Sequence, residues 1–195
     1  MKYLMTGGKT KKGNKMKDIM LDIETMGTGD NAAIMSIGAC YFDPLTGEVG
    51  KTFHEQVSLE SCVALGMEID ASTVIWWMGQ SDEARSKFYS NSKAKSCQRV
   101  IAELRCFIDV SAKVWGNGIG FDNVKVNNLT RLTGHEPLWE FWNDRDVRTI
   151  VDLGKLIGAD PKRDMPFDGV KHDALADAIH QAKYTSMIIQ NLIKS

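Results

Sequence analysis

The order of apolar segments along this 195-residue chain predicts an α/β domain built on a mixed β-sheet. Three strand-like segments come first, and strand-like segments then alternate with helical ones. A hydrophobic fraction of 43% and a charged fraction of 25% are typical of a globular domain. We expect one domain over residues 17–195, after a disordered lead-in over residues 1–16 that is rich in Lys, Gly and Thr, with Met16 as an alternative start.

The first three strands are predicted to form an antiparallel meander. A mostly apolar run, Asp18–Ile23, suits a buried strand. The second strand covers Ala33–Phe42, and a turn at Asp43–Gly47 leads into a third strand at Gly50–Val57.

The rest of the chain is predicted to alternate between helices and two further strands. Apolar residues at helical spacing indicate the clearest early helix, at 97–109. The remaining predicted helices cover about 59–66, 71–80, 82–90, 121–132, 147–157 and 174–193. The fourth and fifth strands are predicted at Lys113–Gly116 and Pro137–Phe141, and a loop containing Pro161, Pro166 and Gly169 precedes the last helix.

Charge and cysteine content restrict the function classes. A net charge of −1 argues against a protein that coats nucleic acid through a strong positive field, but not against an enzyme whose metal ions supply local positive charge. The four cysteines show no zinc-ligand spacing, so reduced thiols in a cytoplasmic protein are the simplest interpretation. No apolar run reaches about 18 residues, which predicts no membrane span.

The first candidate motif is Asp22-Ile23-Glu24, at the end of the first strand. Residues two apart in a strand point to the same face, so both carboxylates would project together. Paired carboxylates are hard oxygen ligands that suit Mg²⁺ or Mn²⁺. Taken alone, a pair of solvated surface carboxylates is the commoner explanation.

The second candidate motif, Asn117-Gly118-Ile119-Gly120-Phe121-Asp122-Asn123, follows the fourth strand. Glycines let the chain turn tightly into a helix, and Asp122 lies where that helix begins. Taken alone, Asp122 would be interpreted as a helix cap. The glycine spacing does not match the G-x-G-x-x-G pattern of dinucleotide-binding proteins.

The third candidate motif is His172-Asp173-Ala174-Leu175-Ala176-Asp177. Both ends reach one site if His172 lies on the loop before the last helix and Asp177 faces inward from its second turn. The alternative is a capped helix start, with Asp173 as the cap or first-turn acid.

In this order and on these elements, the three motifs resemble those of the DEDD superfamily of 3′–5′ exonucleases, in its histidine-bearing (DEDDh) branch. The resemblance covers residues 17–190 and is strongest to small phage and prophage enzymes described as exodeoxyribonuclease VIII-like. Shared features include the Asp22–Gly27 segment, the Ser36-Ile37-Gly38-Ala39 strand, and Trp76-Trp77 with Gln80. The resemblance implies a ribonuclease H-like fold with a five-stranded mixed sheet flanked by helices.

The resemblance also implies a two-metal mechanism using Mg²⁺ or Mn²⁺. Asp22 would bridge two ions, Glu24 and Asp177 would help hold the ion that carries the attacking water, and Asp122 would support the other. His172 would act as the general base, because an imidazole titrates near neutrality. The substrate would be the 3′ end of single-stranded DNA or RNA. A homodimer is a further option, because dimers are common in the superfamily.

Four residues are candidates for substrate binding. The loop Thr25-Met26-Gly27 follows the metal pair, and in the superfamily the equivalent loop meets the terminal nucleotide. For Met26, core packing is an equal alternative. Trp76 and Trp77 are about 100° apart on a helix, so at most one faces the groove, and we select Trp77; core packing is the favoured alternative for both.

Two alternative functions are a nucleic-acid-binding module and an endonuclease. A nucleic-acid-binding module that has lost catalysis would share the fold, but intact Asp22, Glu24, Asp122, His172 and Asp177 argue against it. An endonuclease with a related fold would cut circular single-stranded DNA, which an exonuclease leaves intact.

Overall fold

The computed structural model describes residues 16–89 and 94–194. The predicted lead-in therefore lies outside the described residues, apart from Met16, which packs against the core. Within the described segments, no helix is both long and apolar enough to cross a membrane.

The chain folds into a five-stranded mixed sheet with helices on both faces, which confirms the predicted fold class. The strand order is β3-β2-β1-β4-β5; β1, β2 and β3 pair antiparallel, and β4 and β5 pair parallel to β1 and β4. The strands are β1 (Asp18–Thr25), β2 (Ile34–Phe42), β3 (Val49–Gln56), β4 (Lys113–Gly116) and β5 (Asp144–Asp146). The helices are α1 (Leu59–Ala64), α2 (Ala71–Met78), α3 (Asp82–Tyr89), α4 (Cys97–Phe107), α5 (Asp122–Leu132), α6 (Val147–Leu156), α7 (Pro161–Asp164) and α8 (Ala174–Lys194).

The fifth strand is not where the sequence predicts it. Leu138 and Trp139 are buried as expected of a strand, but Phe141–Asn143 forms a 3₁₀ turn and β5 follows it at Asp144–Asp146. The apolar pair packs as part of a loop, and the strand itself consists of three polar residues. Asp144 explains the placement, because its Oδ1 accepts hydrogen bonds from the Trp139 indole at 2.9 Å and from the Asn123 amide at 2.6 Å.

Strand β1 separates two hydrophobic clusters. Ile19, Leu21 and Ile23 point to the face covered by α4 and α5, where they join the larger cluster. Met20 points to the opposite face and packs in the cluster that includes α8. Alternation along β1 therefore places Asp22 and Glu24 on the α8 face.

Gly38 allows α8 to begin directly against the sheet. It pairs with Asp22 across the β1–β2 register. A Cβ atom at Gly38 would lie only 2.2 Å from the carbonyl carbon of Ala174, the first residue of α8. The absence of a side chain at position 38 therefore determines how closely the start of α8 approaches β1.

We expect Gly38→Ala to lower the free energy of unfolding by about 3 kcal/mol or more, because the added methyl group meets backbone rather than a movable side chain. Urea unfolding followed by circular dichroism measures this change. Gly29→Ala is the control, since a Cβ at Gly29 meets nothing within 4 Å, and should change stability by less than about 1 kcal/mol. Equal stability of the two variants would contradict the close approach.

Candidate active site

Asp22 and Glu24 lie together at the end of β1, on the face covered by α8. Their register partners on β2 are Gly38 and Ser36. Both carboxylates are half-buried, and the negative charge of Glu24 contributes to raising the pKa of Asp22. The shared orientation predicted from their spacing is therefore present.

Asp122 is the first residue of α5 and is 3% exposed. It follows the turn that leaves β4, where a Cβ on Gly116 would lie 3.3 Å from Asp122 Oδ2 and 2.4 Å from Asn123 Oδ1. The backbone amides of Ile23 and Asn117 interact with its carboxylate. Asp122 thus faces the end of β1 and is more than a solvent-exposed helix cap.

His172 and Asp177 meet at the start of α8. His172 lies on the preceding loop with φ of 63°, and its backbone N–H donates to Asp177 Oδ2 at 2.8 Å. Asp177 is the fourth residue of the helix. Asp173 caps the helix, accepting from the Ala176 amide at 2.9 Å, so the local role considered for it is present. Ligand atoms of Glu24, His172 and Asp177 lie within 4.8 Å of one another.

Two tryptophans on α2 flank His172. The Trp76 and Trp77 ring centroids lie 5.0 Å and 5.9 Å from the imidazole centroid. Trp77 is 5% exposed and its Nε1 donates to the Thr25 carbonyl at 3.0 Å, whereas Trp76 is 46% exposed. Of the pair, the structure presents Trp76 to solvent, although the sequence analysis selected Trp77 for substrate contact.

A cavity of about 400 Å³ opens beside these residues. Its lining includes Glu24, Thr25, Gly27, Phe121 and both indoles of α2. The loop that forms one wall is closed by a hydrogen bond, which Thr25 Oγ1 donates to the Gly27 carbonyl at 2.7 Å.

The side chain of Met26 packs against hydrophobic core clusters. Its amide donates to the Ala33 carbonyl at 2.8 Å. Core packing, the alternative considered for Met26, is thus observed. Thr25 and Gly27 are the members of the predicted loop that line the cavity.

Burial raises the pKa of all four carboxylates, and neighbouring carboxylates add to the shift at Asp22 and Glu24. Burial and the charges of Asp122, Glu24 and Asp177 raise the pKa of Asp22 well above its usual range. Burial, followed by the charges of Asp177 and Asp122, raises the pKa of Glu24 to about 8. Burial raises the pKa of Asp122 to about 7 and also raises that of Asp177, where the His172 amide opposes the shift.

Two residues of α8 near this cluster were missed by sequence analysis. Gln181 is 5% exposed, and its Nε2 donates to Asp22 Oδ1 at 2.7 Å. Tyr184 is buried, and burial, then the charges of Asp22 and Asp177, raise the pKa of its phenol. The signal available in the sequence was their spacing of four and seven residues from Asp177, which places all three on one helix face.

The residues present fit divalent metal ions. Within residues 16–89 and 94–194, no lysine or arginine side chain forms an ion pair with Asp22, Glu24, Asp122 or Asp177, although the charges of Lys125 and Arg148 act on Asp122 from a greater distance. Oxygen donors of this kind suit hard cations. Gln181 Oε1 and the Tyr184 hydroxyl are buried without a hydrogen-bond partner in the described part of the chain, as expected where ions and their waters complete the site.

The sequence of the chain is similar to those of known nucleases. Residues 17–189 match the family described as the 3′-5′ exoribonuclease Rv2179c-like domain. The chain is 30% identical to an exodeoxyribonuclease of Enterobacteria phage T4 over 193 aligned residues, which cover 83% of this chain and 84% of the phage protein.

Solved structures share the fold. E. coli exonuclease I in complex with a dA16 oligonucleotide superposes with a TM-score of 0.65 at 15% identity, covering 90% of this chain and 42% of that one. The nuclease domain of 3′hExo, a DEDDh family member bound to rAMP, superposes with a TM-score of 0.55 at 14% identity, covering 92% and 95%. The chain therefore spans less than half of exonuclease I but nearly all of the 3′hExo nuclease domain.

The five-stranded mixed sheet has the fold of a DEDDh-type nuclease, as in the 3′hExo nuclease domain. The chain belongs to the family of 3′-5′ exoribonuclease Rv2179c-like domains and is a 3′–5′ exonuclease. The oxygens of Glu24 and Asp177, with a ring nitrogen of His172, could hold a divalent metal ion.

The raised carboxylate pKa values predict that the metal-free protein loses stability as pH increases. Unfolded carboxyl groups lose their protons near pH 4, whereas Asp122 and Glu24 in the folded protein keep theirs to about pH 7 and 8. Over this interval the folded state binds more protons than the unfolded state. The stability that Asp122 and Glu24 contribute is therefore fully present below about pH 4 and is lost by about pH 8. Thermal unfolding in EDTA measures the decline.

Glu24→Gln should make that decline shallower, because it removes one titrating group. Glu48→Gln, at an exposed position, is the control and should leave the slope unchanged. Added Mn²⁺ should restore stability at pH 8 in the native protein. If, in EDTA, the stability of the native protein rose between pH 5 and pH 8 relative to that of Glu24→Gln, the assigned electrostatics would be contradicted.

Proposed function

We propose that the protein hydrolyses the terminal phosphodiester bond at 3′ ends of single-stranded nucleic acid or 3′ overhangs, and releases nucleoside monophosphates. The observation that carries this proposal is the convergence of Asp22, Glu24, Asp122 and Asp177 with His172 beside a cavity large enough for a nucleotide base. Two ions, Mg²⁺ or Mn²⁺, would be held by the four carboxylates.

Divalent cations bound at this site would stabilise charge on the phosphate and promote ionisation of the attacking water. Asp22 is central, because its carboxylate interacts with the other three. Gln181 keeps one Asp22 oxygen oriented through its amide. The His172 ring, held between Trp76 and the Asp177 side of the cluster, would accept the proton from water as general base.

The cavity would receive the 3′-terminal nucleoside. Thr25 and Gly27 line the cavity next to Glu24, so a sugar bound there would lie against the metal ligands. Trp76 offers its exposed indole to the base, while Trp77 contributes the part of its indole that lines the cavity. Met26 would support this wall from the core side.

Both DNA and RNA are proposed substrates. The matching family is described by exoribonuclease activity and the phage relative by exodeoxyribonuclease activity. The phage relative also supports the proposed likeness to small phage enzymes of the exodeoxyribonuclease VIII-like type. Among solved structures of the same fold, exonuclease I is recorded with single-stranded oligonucleotides.

A cytoplasmic location and a homodimer complete the proposal. The cytoplasmic location is supported by the four cysteines, which show no zinc-ligand spacing and are most simply interpreted as reduced thiols. Light scattering on the purified protein tests the homodimer.

Digestion of 5′-labelled single-stranded DNA and RNA tests the proposed reaction. With Mg²⁺ or Mn²⁺ the label should appear in a ladder that shortens stepwise from the 3′ end, EDTA should stop it, and circular single-stranded DNA should stay intact. Binding without shortening would identify an inactive module, and cleavage of the circle an endonuclease. Either result contradicts the proposal.

We expect His172→Ala to lower the rate by about 10²–10⁴, the usual contribution of a general base. Asp22→Asn should lose at least as much, because it removes a shared ligand. His135→Ala is the matched control, since His135 contacts Thr133 after α5 and lies outside the cluster. Full activity of His172→Ala would exclude this histidine as the base.

Trp76→Ala should lower kcat/KM by about tenfold, because stacking of one base contributes about 1–3 kcal/mol. Trp76→Phe retains an aromatic ring and should recover most of the loss. Ile75→Ala, at a 69% exposed position on the same helix, is the control and should behave as the native protein. Steady-state kinetics on one oligonucleotide distinguishes the three variants.

A further inference from the structure

Arg148 lies against the turn that carries Asp122. It is the second residue of α6, after Asp146, whose carboxylate caps the helix through the Thr149 amide at 3.0 Å. A Cβ atom at Gly118 would lie 2.9 Å from Arg148 Cζ and 3.0 Å from its Nε. The guanidinium therefore rests directly on the backbone of Gly118, in space that any other residue would fill.

The turn beneath the guanidinium also positions a proposed metal ligand. The Gly118 carbonyl accepts hydrogen bonds from the amides of Phe121 at 2.7 Å and Asp122 at 3.3 Å. Gly118 has φ of 110°, a conformation that favours glycine. Arg148 is thus held beside the carboxylate cluster on its Asp122 side, while Trp76 borders the cluster on its His172 side.

Arg148 differs from the other arginines in having no protein acceptor. Within residues 16–89 and 94–194 its side chain forms no hydrogen bond or ion pair, and the residue is exposed. Every other arginine of the chain has a partner: Arg85 with Asp82, Arg99 with Glu103, Arg105 with the Glu136 carbonyl, Arg131 with Asn128, Arg145 with the Trp142 carbonyl, and Arg163 with Asp164.

A second cation lies close to Arg148. Burial and the positive charges of Arg148 and Lys155 lower the pKa of Lys162 on α7, against the opposing charges of Asp160 and Asp152. An unpaired guanidinium beside further positive charge favours an anionic ligand. A guanidinium binds phosphate through two parallel N–H donors, which gives it orientation as well as charge.

We propose that Arg148 binds a backbone phosphate of the retained strand, on the 5′ side of the bond that is cut. The cavity beside Glu24 and Trp76 receives the 3′-terminal nucleoside, so the rest of the strand leaves the carboxylate cluster in another direction. The Asp122 side, where Arg148 presents its donors, provides that direction. This inference rests on the proposed exonuclease function and adds the path of the strand.

Arg148→Gln tests the phosphate contact. We expect KM for a single-stranded oligonucleotide to rise about tenfold, with kcat changed by less than about threefold, because the contact forms in both the bound substrate and the transition state. The salt dependence is a more specific readout. Between about 50 and 200 mM NaCl, the slope of log binding constant against log salt should become shallower by about 0.7, the value for one phosphate on a single strand.

Two comparison variants separate this role from a general charge effect. Arg163→Gln removes the same charge from an exposed arginine that is already paired with Asp164, and should leave KM and the salt slope unchanged. Arg148→Lys keeps the charge without the two parallel donors. It should restore the native salt slope, but its KM should return only part of the way to the native value.

The outcomes are distinguishable from failure of the proposed reaction. If the native protein shortens oligonucleotides and Arg148→Gln has native KM and salt slope, the phosphate contact is refuted. A lower kcat with native KM would also refute it, since Arg148 would then act on Asp122 instead. If the native protein shortens nothing, fluorescence anisotropy of a labelled oligonucleotide still compares binding by the native protein and Arg148→Gln, and equal affinities would overturn the inference.

Discussion

Four carboxylates with raised pKa values are held together at one edge of the sheet by the backbone around them, not by ion pairing. Asp22 and Glu24 share a face because β1 alternates, and Asp122 is drawn toward β1 by the amides of Ile23 and Asn117. The His172 amide holds Asp177 in place. Folding into this arrangement costs electrostatic free energy at neutral pH, and divalent cations bound as we propose would offset that cost.

Two close backbone approaches make the arrangement possible. Gly38 lets the first residues of α8 lie on β2 opposite Asp22, and Gly116 lets the start of α5 fold back over β4. Each approach brings one acidic residue of a helix start to the end of β1. The hydrophobic clusters on both faces of the sheet then fix these helices, so that metal ligands from distant parts of the sequence have little freedom to separate.

The sequence alone was sufficient for most of the fold and for the metal-ligand candidates, because period-two alternation and the three acidic motifs are local signals. Strand β5 was placed too early, because buried Leu138 and Trp139 carry a strand-like pattern while the true strand, Asp144–Asp146, is polar and is recognised only through its partners. The role of Gln181 depends on a side-chain contact across 159 positions, which no local pattern reports. The contact between Arg148 and Gly118 is likewise absent from any local pattern, since it exists only in the folded chain.

Anomalous scattering from crystals of the protein grown or soaked in Mn²⁺ would locate the metal ions directly. We expect two strong peaks about 4 Å apart, bounded by Asp22, Glu24, Asp122 and Asp177, and loss of both in Asp22→Asn crystals under the same conditions. Manganese peaks elsewhere on the surface, with none between these four carboxylates, would contradict this expectation.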